Sequence, residues 1–284
     1  MNIVKSNSVV FVLALGASYV VIAGGIDLST ASTTAARAMI FGLSVQAGLP
    51  GPLAIAATLA FGLLLGFLNG HLVACLKISF FVVTLGALSI YQSFALVIND
   101  GTSLSVFAYP AFKPITAFFN GNTGPFPNLL LLDLVLLLIA GGVLRYTGFG
   151  RALYAIGANV EAARLNGINV RQVTLAVCMA AGGCVALGAV ILVGRPTTAP
   201  ADADPTLLLT VLAAVLIGGT AFSGGEGGVF GTMIGMLFLG VIQNGLTLSG
   251  VSSFWQCMVS GAILVFAVWL GGVRTLLRRK RQAG

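Results

Sequence analysis

Few residues in this 284-residue chain are of types that do chemistry, and two of them sit where charge is costly. Arg37 and Asp133 each interrupt a long apolar run, and an ionisable group inside hydrocarbon marks a transport pathway or a polar contact with a neighbouring helix. Asp27 follows the pair Gly24 and Gly25 at the end of the first apolar run. It reads either as a gate residue or as the cap of the helix that follows. His71, the single histidine, adjoins the end of a run, as an interfacial anchor or a proton relay. "SGGEGG" (residues 223–228) has the glycines of a phosphate loop without its Lys and Ser or Thr, so it predicts a tight turn with Glu226 presented to a partner. The four cysteines lack metal-ligand spacing and read as small buried apolar residues. No histidine, acid and nucleophile occur in a catalytic pattern, so the chain reads as a non-enzyme with neither metal nor cofactor of its own.

The elements that would hold these residues are membrane helices. Hydrophobic residues make up 58% of the chain and charged ones 7%, and the mean hydropathy is +1.05. Both lie far from the composition of a soluble domain, and the 38 glycines suit close-packed membrane helices. A hydrocarbon core needs roughly 17 to 25 apolar residues per helical span. On that basis the fold is an all-α transmembrane bundle of about nine spans in one domain, over 8–24, 33–49, 53–75, 79–98, 127–146, 172–194, 206–222, 228–247 and 253–273. The second span is the weakest, and a re-entrant path around Arg37 is its alternative.

Charge sets the orientation. Arg145, Arg151, Arg164 and Arg171 stand against one acid, Glu161, over residues 145–171, which include the loop 147–171, and five cations crowd the tail 274–284. Both regions read as cytoplasmic by the positive-inside bias, and the even number of spans between them agrees. The net charge of +7 resides in these loops rather than in a soluble basic domain, so no nucleic-acid partner is expected. The same count places the short N-terminus outside, with Lys5 mildly against the rule.

Within 147–171, Asn159 is a good N-cap, Glu161 lies in the first turn and Gly167 suits a left-handed C-terminal position. These signals predict a two-turn helix from Val160 to Asn166, roughly 10 Å long. Ala162, Leu165 and Ile168 would form its apolar face, and so short a helix needs a surface to dock on.

"EAARLNG" (161–167) resembles the coupling loop of ATP-binding-cassette importer permeases. "VIAGGIDLS" (21–29), "FLNGHLVACLKI" (67–78), "TLGALSIY" (84–91), "VLIGGTAFSGGEGGVFGTMIG" (215–235) and "NGLTLSGVSSFWQ" (244–256) continue the resemblance, in the order of the permeases for ribose and related simple sugars. It implies a plasma-membrane subunit importing a monosaccharide by alternating access. ATP and Mg would act on a partner ATPase, a secreted sugar-binding protein would deliver substrate, and a second permease chain would complete the pore. Glu161, Ala162, Ala163, Arg164, Leu165 and Gly167 would contact the ATPase. Gly24, Gly25, Asp27, Gly218, Gly219 and Glu226 would form a gate or cytoplasmic turn. The family carries a further helix before the point where this chain begins, so the first helix is expected to be absent here.

A path for a neutral sugar calls for amides, hydroxyls and aromatic faces without buried charge. Asn69, Phe81, Tyr91 and Gln92 offer these in the first half of the chain, and Gln243, Asn244, Trp255 and Gln256 in the second. An ion- or proton-coupled secondary transporter is the competing expectation, for which Asp133 and Arg37 would carry the coupling. "VIAGGIDLS" and "VLIGGTAFS" also share Val, Gly, Gly and Ser in register, the trace of an internal repeat.

Overall fold

The computed structural model describes residues 2–282, with side chains for residues 4–269 and 271. The side chains of the basic tail, 274–284, lie outside the described residues. Long helices dominate: α1 (Asn2–Ile22), α2 (Thr30–Gln46), α3 (Gly51–Ala74), α4 (Phe80–Val97), α6 (Asn128–Tyr146), α9 (Val170–Gly194), α10 (Pro205–Ile217), α11 (Val229–Leu248) and α12 (Ser253–Gln282). Shorter ones are α5 (Lys113–Asn120), α7 (Gly148–Ala158) and α8 (Val160–Leu165). Four two-residue strands complete the chain: β1 (Leu104–Ser105) pairs with β4 (Thr198–Ala199), and β2 (Asn122–Thr123) with β3 (Phe126–Pro127).

Among the described residues, six helices are long and apolar enough to cross a membrane: α1, α3, α4, α6, α9 and α11. The nine expected spans are therefore not all met by length and composition. Arg37 and a run of hydroxyl residues dilute the 17-residue α2. The glycine pair at 218–219 stops α10 after 13 residues, short of the expected end at 222. The apolar part of α12 within the described side chains is Ser253–Trp269.

α1 is the axis of the bundle. Its span is 89% buried, against 22% for α4, because α6, α9, α10 and α11 all pack around it. Outer helices turn bare apolar side chains outward, among them Leu64, Val82, Leu138 and Ile234, as a lipid-facing surface requires. The hydroxyls of α2 are satisfied by carbonyls of the helix itself and of the turn before it, where Thr30 donates to Asp27. Thr33 and Thr34 donate to the carbonyls of Ser29 and Thr30 at 2.8 and 2.7 Å, which lets a polar sequence lie in a dry interior.

Loops gather on two faces. The upper face holds 98–127 and 195–204, joined by the β1–β4 ladder, and Lys5 reaches it by donating to the Asn120 carbonyl at 3.1 Å. The lower face holds 23–29, 147–169 and 218–228, joined by Gly225 donating to the Ile22 carbonyl at 2.9 Å. α2 runs from the lower face to the upper, where Gly42 abuts Ala199 and Leu104.

α3 and α9 form the tightest helix pair. Gly62, Gly66 and Gly70 recur every fourth residue on one face of α3 and admit the backbone of α9. A Cβ at Gly66 would lie 2.5 Å from the Cys178 carbonyl oxygen, and one at Gly182 equally close to that of Gly62. Gly66→Leu is therefore expected to force the helices apart and lower the yield of monodisperse protein in detergent several-fold. Size-exclusion chromatography of a fluorescently tagged chain reads this directly, and wild-type yield with a single symmetrical peak would refute the tight crossing.

Candidate functional site

Between α1, α2, α3, α4 and α9 lies a cavity of about 20 Å³, room for a water molecule or two rather than a sugar ring. Asp27, Thr33, Arg37, Asn69 and Thr84 supply its polar lining, with Phe80 on its edge. Arg37 is 2% exposed. Its Nη2 donates to the Gly62 carbonyl at 3.2 Å, while Nε and Nη1 have no hydrogen-bond partner. Asn69 Oδ1 accepts from the Tyr91 hydroxyl at 3.0 Å, a bond that orients the amide. Asp27 Oδ1 accepts from both the amide and the hydroxyl of Ser29, at 2.8 and 2.6 Å. Asp27 thus holds the turn that leads into α2, whose N-cap is Ser29 rather than Asp27, and it also lines the cavity.

Beneath the cavity, three chain segments touch backbone to backbone. Gly157 of α7 has no room for a side chain, since its Cβ would collide with the Ile22 carbonyl and the Gly225 amide. A Cβ at Gly224 would lie 2.8 Å from the Gly24 backbone, and Gly225 packs on Ala158 just as closely. Gly224 and Gly225 also hold φ of 81° and 75°, a left-handed conformation that glycine enters freely. Tyr154 adds a side-chain strut by donating to the Gly227 carbonyl at 2.8 Å. Burial pushes its phenol above the ordinary value, so it remains a donor.

The internal repeat has a structural counterpart, shifted by one residue. Gly24 donates to Val21 and Gly25 to Val20 at the end of α1, and Gly219 donates to Leu216 and Thr220 to Val215 at the end of α10. Gly24 and Gly219 are the left-handed residues, with φ of 79° and 88°. The sequence register pairs Gly24 with Gly218 instead, which packs against Gly231.

α8 hangs from this junction. Asn159 accepts from the Ala162 amide at 3.0 Å, and Gly167, at φ 82°, ends the helix with bonds from Gly167 to Arg164 and from Ile168 to Ala163. That pair of bonds is the glycine-terminated C-cap predicted from sequence. The exposed face differs from expectation. Ala163 is buried against the protein, Ile168 is half-buried, and Leu165 projects outward at 84% exposure beside Ala162 and Val160. Glu161 and Arg164 lie 3.6 Å apart in an exposed pair, which contributes little to stability.

Residues 1–268 match the family model described as the permease component of the branched-chain amino acid transport system. The chain belongs to this permease family. Among curated relatives, the ribose import permease of Escherichia coli K12 is 34% identical over 94% of this chain and 83% of that protein. The ribose import permease of Bacillus subtilis is 33% identical over the whole chain and 85% of that protein. The xylose transport system permease of Escherichia coli K12 is 31% identical over 95% of the chain and 83% of that protein. No solved structure matches.

In this permease the expected path residues fall into separate groups. Asn69 and Tyr91 stand at the cavity with Asp27. Gln92 instead ties α4 to the upper face, donating to Asp202 at 2.9 Å and accepting from Ala203 at 3.2 Å. Gln243 bridges α10 to α11 through Thr210 at 2.9 Å, Gln256 donates to the Val251 carbonyl at 3.0 Å, and Asn244 is half-buried nearby. Phe81 and Trp255 are more than half exposed. Arg37 is a buried charge lining the same cavity. Asp133, 5% exposed, accepts from the Ser8 hydroxyl at 2.7 Å, a polar contact between α6 and α1 away from the cavity. His71 stacks on Phe67 at 5.9 Å at the exposed end of α3, as an anchor would.

Proposed function

We propose that this permease is the membrane subunit of an ATP-binding-cassette importer that carries a monosaccharide across the inner membrane by alternating access. α8 carries the reading. It is a capped two-turn helix with an outward apolar side chain, fixed by the glycine junction to the floor of the cavity, which suits it to seat in an ATPase and relay that subunit's movement. The ribose and xylose relatives supply the substrate class. In this reading the lower face is cytoplasmic, on the strength of its arginines, the C-terminus lies on the same side, and nine helices cross. ATP and Mg act on the ATPase, a secreted binding protein delivers sugar to the upper face, and a second permease chain completes the assembly.

Co-expression with a candidate ATPase and sugar-binding protein, followed by proteoliposome uptake of radiolabelled ribose and xylose, tests the reading. Uptake is expected only with ATP on the side of α8. Uptake driven by a proton or ion gradient without any ATPase would establish the secondary-transporter alternative.

Orientation has its own test. Ser6 is exposed and one residue from Lys5, which reaches the upper face. A Ser6→Cys variant is expected to react with an impermeant thiol reagent added outside cells. Labelling only after the cytosol is opened would invert the assignment of the faces.

A further inference from the structure

We propose that the lower end of the α3–α9 crossing holds the phosphate of an anionic membrane lipid at Arg171 and Lys77, an inference that rests on these helices crossing a membrane and is independent of what the chain transports. Arg171 lies in the first turn of α9 and Lys77 in the turn that follows α3, and both are exposed. Arg171 Nε donates to Sγ of Cys75, the C-cap of α3, at 2.8 Å. That bond engages one side of the guanidinium and leaves its end, where Nη1 and Nη2 carry parallel N–H groups that match two oxygens of one phosphate. Lys77, two residues beyond Cys75, holds φ of 57°, so a cation stands where the backbone alone would favour glycine.

The protein supplies no counter-charge here. Neither cation is paired with a carboxylate among the described residues. No Asp or Glu occurs over 28–99 or 162–201, which contain α2, α3, α4 and α9. Asp27, at the edge of the first stretch, lines the cavity instead, where its Oδ1 accepts from Ser29. What makes the anion a lipid is the surface above it. Leu64, Phe67 and Leu68 are exposed on α3, and His71 stacks on Phe67 at 5.9 Å where this apolar track meets the cations. An acyl chain lying on the track brings its phosphate to Arg171 and Lys77. Phosphatidylglycerol suits the site better than phosphatidylcholine, whose own cation the two side chains repel.

The test titrates delipidated protein in detergent with dioleoylphosphatidylglycerol or dioleoylphosphatidylcholine and reads the first lipid adduct by native mass spectrometry. Wild type is expected to bind phosphatidylglycerol about tenfold more tightly. Arg171→Gln is expected to bring the two lipids within about twofold of each other. Arg171→Lys keeps the charge and loses the fork, and is expected to reduce the preference about fivefold. Arg145→Gln removes a cation from the lower end of α6 and is expected to leave the preference unchanged. Equal losses in Arg145→Gln and Arg171→Gln, with Arg171→Lys behaving as wild type, would reduce the site to the diffuse attraction of any surface cation and overturn the proposal. A wild type without preference overturns it as well. Glycerophosphoglycerol, the same headgroup without acyl chains, is expected to leave the lipid bound at tenfold excess, and displacement would assign the site to a soluble phosphate and refute the lipid. If Arg171→Gln fails to accumulate, Lys77→Gln supplies the same comparison.

Discussion

Gly157→Ala is expected to abolish uptake while leaving the chain in the membrane. A single methyl group at this position has nowhere to go, because the Ile22 carbonyl and the Gly225 amide already occupy its space and both belong to backbone that cannot rotate aside. Forcing one buried methylene into packed surroundings costs about 1 to 3 kcal/mol. Against a two-state conformational equilibrium that is roughly a five- to 150-fold bias. The affected helix, α7, lies between α6 and α8 outside the long apolar helices, so insertion is preserved. Binding-protein-stimulated ATPase activity should fall less than uptake, because the motor still turns while its movement no longer reaches Ile22 and the cavity floor. A variant with normal uptake would show that the contact among Gly157, Ile22 and Gly225 transmits nothing.

The second large effect is expected at the tip of α8. Leu165→Asp places a carboxylate on the most exposed apolar side chain of that helix, 84% open to its surroundings. Folding loses little, since nothing there is buried. Docking into an apolar groove of an ATPase would lose the transfer of a leucine side chain, about 1.5 to 3 kcal/mol, together with the cost of desolvating the acid. Gly167→Val acts on the same helix by another route. Its φ of 82° is strained for a β-branched residue, by about 1 to 2 kcal/mol, although the space beside its Cα is open. Both variants should reach normal abundance, and both should lose ATPase in pull-down and uptake in the same proportion. Co-purification of ATPase at wild-type levels by Leu165→Asp would place the docking surface elsewhere.

Helix positions were legible because apolar run length is a local property, and α3, α4, α6 and α9 fall within two residues of their expected ends. α8 was legible for the same reason, as Asn159 and Gly167 report their caps without reference to the rest of the chain. The G-x-x-x-G-x-x-x-G spacing of α3, at Gly62, Gly66 and Gly70, is equally local, and its period names a helix-packing face. The junction was hidden more deeply. Gly24 and "SGGEGG" marked two of its three strands, but Gly157 looks like an ordinary helical glycine until Ile22 and Gly225 are brought to it. Side-chain amides misled for a different reason. Gln92, Gln243 and Gln256 have the donors and acceptors of a sugar path, and the same groups tie helices and loops together equally well. Arg37 was the reverse case, an apparent obstacle to crossing that the fold placed at the cavity.

The ladder between β1 and β4 constrains how the upper face can part. Leu104 pairs with Ala199 and Ser105 with Thr198, and Gln92 clamps the adjoining stretch at Asp202 and Ala203. The segments following α4 and α9 are therefore stitched to one another, and neither can peel away like an independent flap. In the proposed importer cycle, an aperture on that side would form by tilting whole helices under an intact seam, with the stitched segments riding as a single brace across its rim.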